Sequence, residues 1–214
     1  MSSREPAVLG GAPAFPEGLQ LVRPRLPDIP ALTARLATIL DSGMLTNGPT
    51  VRELEAQVAD YLHVPHVVAV SNCTSGLMLV LQALGATGRV VLPSFTFSAS
   101  AHAAVWAGGQ CDFADVDPQS LTLDPTAAEP LLDGAAAMTA THIYGTPCDV
   151  EGLARLAAAA DVPLVYDAAH ALGSRRGGVP VGGFGTAEVF SLSPTKVTVA
   201  AEGGLVATRD AALA

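Results

Sequence analysis

The chain has 214 residues, of which 50% are hydrophobic and 14% are charged, and its formal net charge is -9. This composition excludes a disordered chain, and the negative charge argues against nucleic acid or an anionic membrane as partner, because both bind clustered Lys and Arg. Cysteines without metal-ligand spacing, and the lack of a signal peptide or a long apolar run, predict a cytoplasmic protein without disulfides or a metal site.

The N-terminal part predicts a lead-in followed by two helices. Residues 1–27 are Pro-rich, and we expect them to lead into a domain at 28–214. The stretch PDIPALTARLATILDSG has apolar residues at helical spacing and ends at Gly43. Thr50, with Glu53 three residues later, predicts a capping box at the start of the second helix.

From there short apolar strands alternate with helices. Strands of about four to seven residues, separated by helices of about ten, are typical of an open, mostly parallel sheet with helices on both faces. We therefore predict a three-layer α/β/α fold. The Gly-rich stretch GSRRGGVPVGGFG predicts an exposed excursion between two strands. The predicted strands are HVVAVS, GRVVLP, QCDFADV, AAMTATHI, VPLVYDA, AEVFSLS and GGLVATR.

Polar residues are concentrated in loops that follow four of these strands. The loops are SNCTSG, PSFTF, YDAAHA and SLSPTK. In open α/β sheets, ligands bind beyond the carboxyl ends of the strands. We therefore expect a ligand site in these loops, and it would include Lys196, the only lysine in the chain.

Taken singly, the residues of two of these loops have more than one interpretation. Thr74 and Ser75 fit a phosphate site at a helix N-terminus, but such residues cap helices more often than they bind anions. Asp167 ends a buried strand, so it either caps the next turn or meets a positive partner such as a protonated ring nitrogen. His170 would point to the same side, or it is an ordinary loop histidine.

The other two loops supply aromatic rings and an amine. Phe95 and Phe97 fit core packing or stacking on a flat ring. Lys196 is either a remnant of drift from Lys to Arg, or it is required because only a primary amine forms a Schiff base with an aldehyde. A phosphate site, a stacking aromatic ring, a carboxylate for a ring nitrogen and a lysine are together the contacts that pyridoxal phosphate requires.

The four loops belong to a set of six longer motifs: SNCTSGLMLVLQALG, VVLPSFTFSASAHAAVWAGG, DVDPQSLTLDP, THIYGTPCDVEGL, VYDAAHALGS and FSLSPTKVTVAAEGG. In their order and approximate spacing, these motifs resemble the DegT/DnrJ/StrS family of sugar aminotransferases. The resemblance implies that residues 28–214 form the large domain, which binds pyridoxal phosphate, of the aspartate-aminotransferase-like fold (fold type I). It also implies a homodimer, and a small C-terminal domain of the family that is absent from this chain.

The resemblance also implies roles by position. Lys196 takes the Schiff-base position, Asp167 the position that pairs with the pyridine nitrogen, and His170 a position near the phenolic oxygen. These three are the implied catalytic residues. The further implied cofactor contacts are Phe97 for stacking, and Thr74, Ser75 and Ser191 for the phosphate.

The implied reaction moves an amino group from glutamate or glutamine to a keto sugar, nucleotide-linked, in amino-sugar or secondary-metabolite biosynthesis. The competing hypothesis is a truncated, non-catalytic homologue that binds pyridoxal phosphate or a full-length partner. A Rossmann-type nucleotide binder is disfavoured, because no G-x-G-x-x-G follows the first strand.

Overall fold

The computed structural model describes residues 5–20 and 22–214, so residues 1–4 and 21 of the predicted lead-in lie outside the described residues. The α-helices of the described part are α1 (Ile29–Ser42), α2 (Pro49–Leu62), α3 (Cys73–Ala83), α4 (Ser98–Trp106), α5 (Pro125–Ala128) and α6 (Val150–Ala160). Its strands are β1 (His66–Val70), β2 (Arg89–Pro93), β3 (Gln110–Ala114), β4 (Ala137–Thr141), β5 (Leu164–Asp167), β6 (Arg175–Arg176), β7 (Val179–Pro180), β8 (Ala187–Ser191) and β9 (Gly204–Thr208).

The two N-terminal helices start differently. Asp28 caps α1, where its carboxylate accepts a hydrogen bond from the Ala31 N–H at 3.0 Å. The capping box predicted for α2 is wrong: Gly48 is the N-cap, and no side chain caps this helix. Because Pro49 has the φ that a helix needs at its first position, α2 begins before Thr50 and leaves that residue inside the first turn. Glu53 instead pairs with Arg35 of α1.

Seven strands form one mostly parallel sheet, which confirms the predicted fold class. The strand order is β1-β9-β8-β5-β4-β2-β3. All pairs from β8 to β3 are parallel, whereas β9 runs antiparallel to both β1 and β8. The carboxyl ends of β1, β2, β4, β5 and β8 therefore meet at one edge of the sheet. Within the described residues, none of the helices is both long and apolar enough to cross a bilayer.

Helices cover both faces of this sheet, as the three-layer prediction requires. Side chains alternate along a strand, so Val165 and Val189 face one side while Tyr166 and Phe190 face the other. The first side packs against α3 and α4, and the second against α2 and α6. Burial on both faces accounts for the consecutive apolar residues 164–166 in β5 and 189–190 in β8.

The Gly-rich stretch after β5 is only partly the exposed excursion that the sequence predicts. It forms the two-stranded hairpin β6–β7 and then returns to the core, where Val181 is fully buried. Gly182, at φ 141°, packs so tightly on α2 that an added Cβ would lie 2.7 Å from Leu62 Cδ1. The glycine at this position therefore permits a close approach of the backbone.

Gly76 sets the spacing between α3 and the sheet. An added Cβ would lie 2.7 Å from Val189 Cγ1 and 3.1 Å from Val70 Cγ2. We expect Gly76→Ala to lower the free energy of unfolding by about 1–3 kcal/mol through overpacking, as measured by urea denaturation. Gln82→Ala, at an exposed position on the same helix, is the matched control. A gain of about 1 kcal/mol, the usual benefit of Ala over Gly in a helix, would contradict this account.

Candidate functional site

A cavity of about 700 Å³ lies at the edge where the strands end. Its wall is built from the loops that follow β1, β2, β4, β5 and β8, as expected for an open α/β sheet. The structure brings together around it all seven residues that the sequence proposes for cofactor binding or catalysis. They are Thr74, Ser75, Phe97, Asp167, His170, Ser191 and Lys196. What each of them binds stays a prediction.

Asp167 lies in the floor of this cavity, with 2% of its surface exposed. Its Oδ1 accepts a hydrogen bond from the Ala169 N–H at 3.1 Å, and its Oδ2 accepts one from the Ser100 hydroxyl at 2.7 Å. The ion pairs among the described residues do not include Asp167. A buried carboxylate without a cation is costly, so this site favours a positively charged ligand group.

Cys73, the first residue of α3, lies beside this carboxylate. Its Sγ is 3.8 Å from Asp167 Oδ1 and 3.5 Å from the Val189 carbonyl oxygen. Burial, followed by the nearby charge of Asp167, raises the pKa of the Cys73 thiol far above its ordinary value. The thiol therefore stays protonated and is a poor nucleophile.

In the loop between β1 and α3, the helix cap is Asn72 and not Thr74 or Ser75. Asn72 is the N-cap of α3, and its Oδ1 accepts a hydrogen bond from the Ser75 N–H at 2.8 Å. The Ser75 hydroxyl lies 2.8 Å from Ser71 Oγ and 3.0 Å from the Asn72 carbonyl oxygen, so it is bonded to its own loop. Thr74 also faces the cavity. The helix N-terminus there offers N–H groups to an anion.

Lys196 approaches the cavity from the loop after β8. Its N–H donates to the Ser193 carbonyl oxygen at 3.0 Å, which closes a turn, and the Ser193 N–H donates to Ser191 Oγ at 3.3 Å. The lysine is half-buried and forms no ion pair with a carboxylate of the described residues. Its amine is therefore available to a ligand.

Two rings border the cavity. Phe97 is 71% exposed at the N-terminus of α4, which rules out core packing for this side chain. The His170 ring is parallel to the Tyr144 ring, with an angle of 7° between the planes and 6.0 Å between the centroids. A flat ligand therefore meets an exposed phenyl ring and an imidazole in the same cavity.

We expect His170 to be neutral at pH 7. Burial lowers its pKa below the ordinary value of 6.5, the charge of Lys196 lowers it further, and Asp167 opposes both. The unfolded chain thus takes up this proton at higher pH than the folded chain does, and His170 makes folding less favourable as pH falls below about 6.5. An NMR titration of the imidazole should give a midpoint below 6.5 that rises in Lys196→Met. A midpoint at or above 6.5 in the wild type would contradict this.

Sequence reasoning missed several polar residues of the site. Asn72, Ser100 and Thr141 contact the predicted residues or line the cavity. Thr141 carried a usable signal, because it is a polar residue at the carboxyl end of a predicted buried strand. Ser100 carried none, since only the fold brings it to Asp167. The described residues contain no cluster of His, Cys, Asp and Glu that could hold a metal ion.

The model of the DegT/DnrJ/EryC1/StrS aminotransferase family matches residues 29–214. The L-glutamine:2-deoxy-scyllo-inosose aminotransferase of Streptomyces fradiae is 37% identical over 195 residues, which cover 86% of this chain and 46% of that protein. The UDP-4-amino-4-deoxy-L-arabinose–oxoglutarate aminotransferase of Shewanella sediminis is 36% identical over 203 residues, 92% of this chain and 51% of that protein.

A solved structure is also similar to this chain over nearly its whole length. The crystal structure of DesI in the presence of its TDP-sugar product matches with a TM-score of 0.92 and 43% identity, covering 97% of this chain and 54% of that one. The chain therefore spans about half the length of the relatives that it matches.

Proposed function

Because this chain belongs to the DegT/DnrJ/EryC1/StrS aminotransferase family, we propose that it holds the pyridoxal phosphate site of a sugar aminotransferase. The reaction would transfer the amino group of glutamate or glutamine to a keto sugar. One observation carries this proposal. The chain's only lysine and a buried carboxylate line the same cavity, and that carboxylate has no cation partner among the described residues.

The residues present fit this cofactor. Asp167 provides a buried negative charge for a protonated ring nitrogen, and Phe97 provides an exposed ring for stacking. Thr74, Ser75 and Ser191 line the cavity with the N-terminus of α3, and they would hold the phosphate group. When bound, pyridoxal phosphate supplies an electron sink for the carbanion that forms at the carbon bearing the amino group.

The chain's own residues would perform three tasks. Lys196 would bind the cofactor aldehyde through its ε-amino group and, once released, would move the proton at the substrate carbon. Asp167 would hold the proton on the ring nitrogen. His170, neutral because burial and Lys196 lower its pKa, would offer a hydrogen bond to the phenolic oxygen without adding a charge.

Substrate class is proposed from the relatives. The Streptomyces fradiae protein is named for L-glutamine and 2-deoxy-scyllo-inosose, and DesI was solved in the presence of its TDP-sugar product. These names support an amino-acid donor and a keto-sugar acceptor, which we propose to be nucleotide-linked, in amino-sugar or secondary-metabolite biosynthesis. We also propose that the chain acts in the cytoplasm as a homodimer. Exposed leucines on α1, at positions 32, 36 and 40, support the dimer.

A half-reaction tests the proposal. The purified chain is loaded with pyridoxal phosphate and incubated with glutamate or glutamine, and the matching oxo acid is quantified. The proposal expects about one oxo acid per cofactor without an acceptor, and continued turnover once a nucleotide-linked keto sugar is added. Cofactor binding without oxo acid would instead support the non-catalytic homologue that binds pyridoxal phosphate. Failure to bind the cofactor would contradict the proposal and would leave only the homologue that binds a full-length partner.

A further inference from the structure

A chain of hydroxyl groups runs from the cavity wall to Asp167. The Ser100 hydroxyl lies 2.7 Å from Asp167 Oδ2. The Thr96 hydroxyl lies 2.8 Å from Ser100 Oγ and 2.8 Å from Thr141 Oγ1. The three hydroxyls come from separate elements, namely the loop after β2, helix α4 and the end of β4. None of them belongs to the cofactor contacts proposed above.

Counting donors fixes the direction of this chain. A carboxylate has no proton to give, so Ser100 donates to Asp167. That donation uses the one hydroxyl proton of Ser100, so Thr96 is the donor in the Thr96–Ser100 bond. By the same reasoning Thr141 donates to Thr96. Each proton therefore points toward Asp167, and each bond polarises the next in the same sense.

Burial makes the hydrogen bond of Ser100 costly to break. Ser100 is 1% exposed, so water does not replace a partner lost at this position. The carboxylate would otherwise rotate readily, because the terminal torsion of aspartate is broad. With Oδ2 held by Ser100 and Oδ1 by the Ala169 N–H, the carboxylate plane is fixed by two donors on different elements.

We propose that Ser100, Thr96 and Thr141 are positioning residues that hold the Asp167 carboxylate as an acceptor aimed at the cofactor's ring nitrogen. This inference rests on the proposed function, because the ring nitrogen belongs to the proposed cofactor. It assigns the three hydroxyls no contact with the substrate. Their contribution is a preorganised acceptor. The contribution of each hydroxyl should decrease with the number of hydrogen bonds that separate it from Asp167.

Comparing two ligands separates positioning from packing. Kd is measured for pyridoxal phosphate and for its carbocyclic analogue, in which a carbon replaces the ring nitrogen. We expect Ser100→Ala to weaken binding of pyridoxal phosphate about 10- to 100-fold, the range for loss of an outer hydrogen bond that orients a ligand-binding group. Binding of the analogue should change by less than about twofold. Equal weakening of both ligands would overturn the inference, because a packing defect does not distinguish them.

Further variants keep the test decisive if Ser100→Ala folds poorly. Thr96 is only partly buried, and Thr96→Val keeps its shape while removing the hydroxyl. We expect Thr96→Val to weaken the binding of pyridoxal phosphate but not that of the analogue. Thr141→Val should have the smallest effect of this kind, and Thr96→Ser should retain wild-type affinity. Ser98→Ala, at an exposed position on α4, the helix that also carries Ser100, should have no effect.

The outcomes distinguish this inference from the proposed function. If the wild type binds the cofactor and neither Ser100→Ala nor Thr96→Val changes its affinity, the hydroxyl chain has no positioning role. If the wild type does not bind pyridoxal phosphate, the proposed function itself is contradicted, and the positioning role is contradicted with it.

Discussion

Lys196→Arg is expected to lower the rate of the glutamate half-reaction by about 100- to 10,000-fold, the range for loss of a general base. Arginine keeps the positive charge, but its guanidinium neither attacks an aldehyde nor gives up a proton near neutral pH. The measurement is the single-turnover rate of oxo acid formation. Arg175→Lys, at an exposed position of β6, is the matched control and should leave the rate unchanged.

The same variant should fold normally. Lys196 is half-buried and forms no ion pair among the described residues, so Arg at this position removes no salt bridge. We expect its urea midpoint to match that of the wild type. A rate within tenfold of wild type in a folded Lys196→Arg protein would contradict the role proposed for this amine.

Asp167→Asn is expected to weaken cofactor binding without lowering the stability of the cofactor-free protein. Asn keeps the size of the side chain but removes the charge that would hold the proton on the ring nitrogen. We expect pyridoxal phosphate to bind about 10- to 100-fold more weakly, as when a charged partner of a hydrogen bond is lost. The half-reaction should slow as well, because the electron sink depends on that proton.

Without cofactor, the effect on stability should differ. The charge of Asp167 is buried without a cation among the described residues, so removing it relieves an electrostatic cost. We expect the cofactor-free variant to unfold at no lower urea concentration than the wild type. At a cofactor concentration 100 times the wild-type Kd, the cofactor should stabilise the wild type by about 2.7 kcal/mol. The same concentration should stabilise the variant by less, because its Kd is higher. Asp41→Asn, at an exposed position on α1, is the control. A variant that binds cofactor as tightly as the wild type would contradict the pairing of Asp167 with the ring.

Much of this fold is predictable from local sequence. Apolar runs of strand length separated by helices predict a parallel sheet, and the rule that ligands bind beyond the strand ends then places Asp167 and Lys196 at one edge. These inferences succeed because burial on both faces leaves a strong signal within each strand. The capping box at Thr50 fails for a local reason, since Pro49 provides an earlier start for α2.

Other features depend on contacts that no local pattern records. Ser100 and Asp167 are 67 residues apart in sequence, and only the tertiary fold brings their side chains to 2.7 Å. Likewise, Val181 appears in a Gly-rich stretch but is fully buried, because Gly182 allows that segment to pack on α2. Such contacts follow from the assembled tertiary structure, so no local sequence pattern predicts the hydrogen bonds among Thr141, Thr96, Ser100 and Asp167.

Borohydride reduction in the presence of pyridoxal phosphate tests the assignment of Lys196 most directly. Reduction makes a bond between the cofactor and an amine permanent, and Lys196 carries the only side-chain amine of the chain. We expect one reduced cofactor per chain, located by peptide mass mapping on the peptide that contains Lys196. An unmodified chain, or a label confined to the N-terminal amine, would contradict the proposed cofactor site.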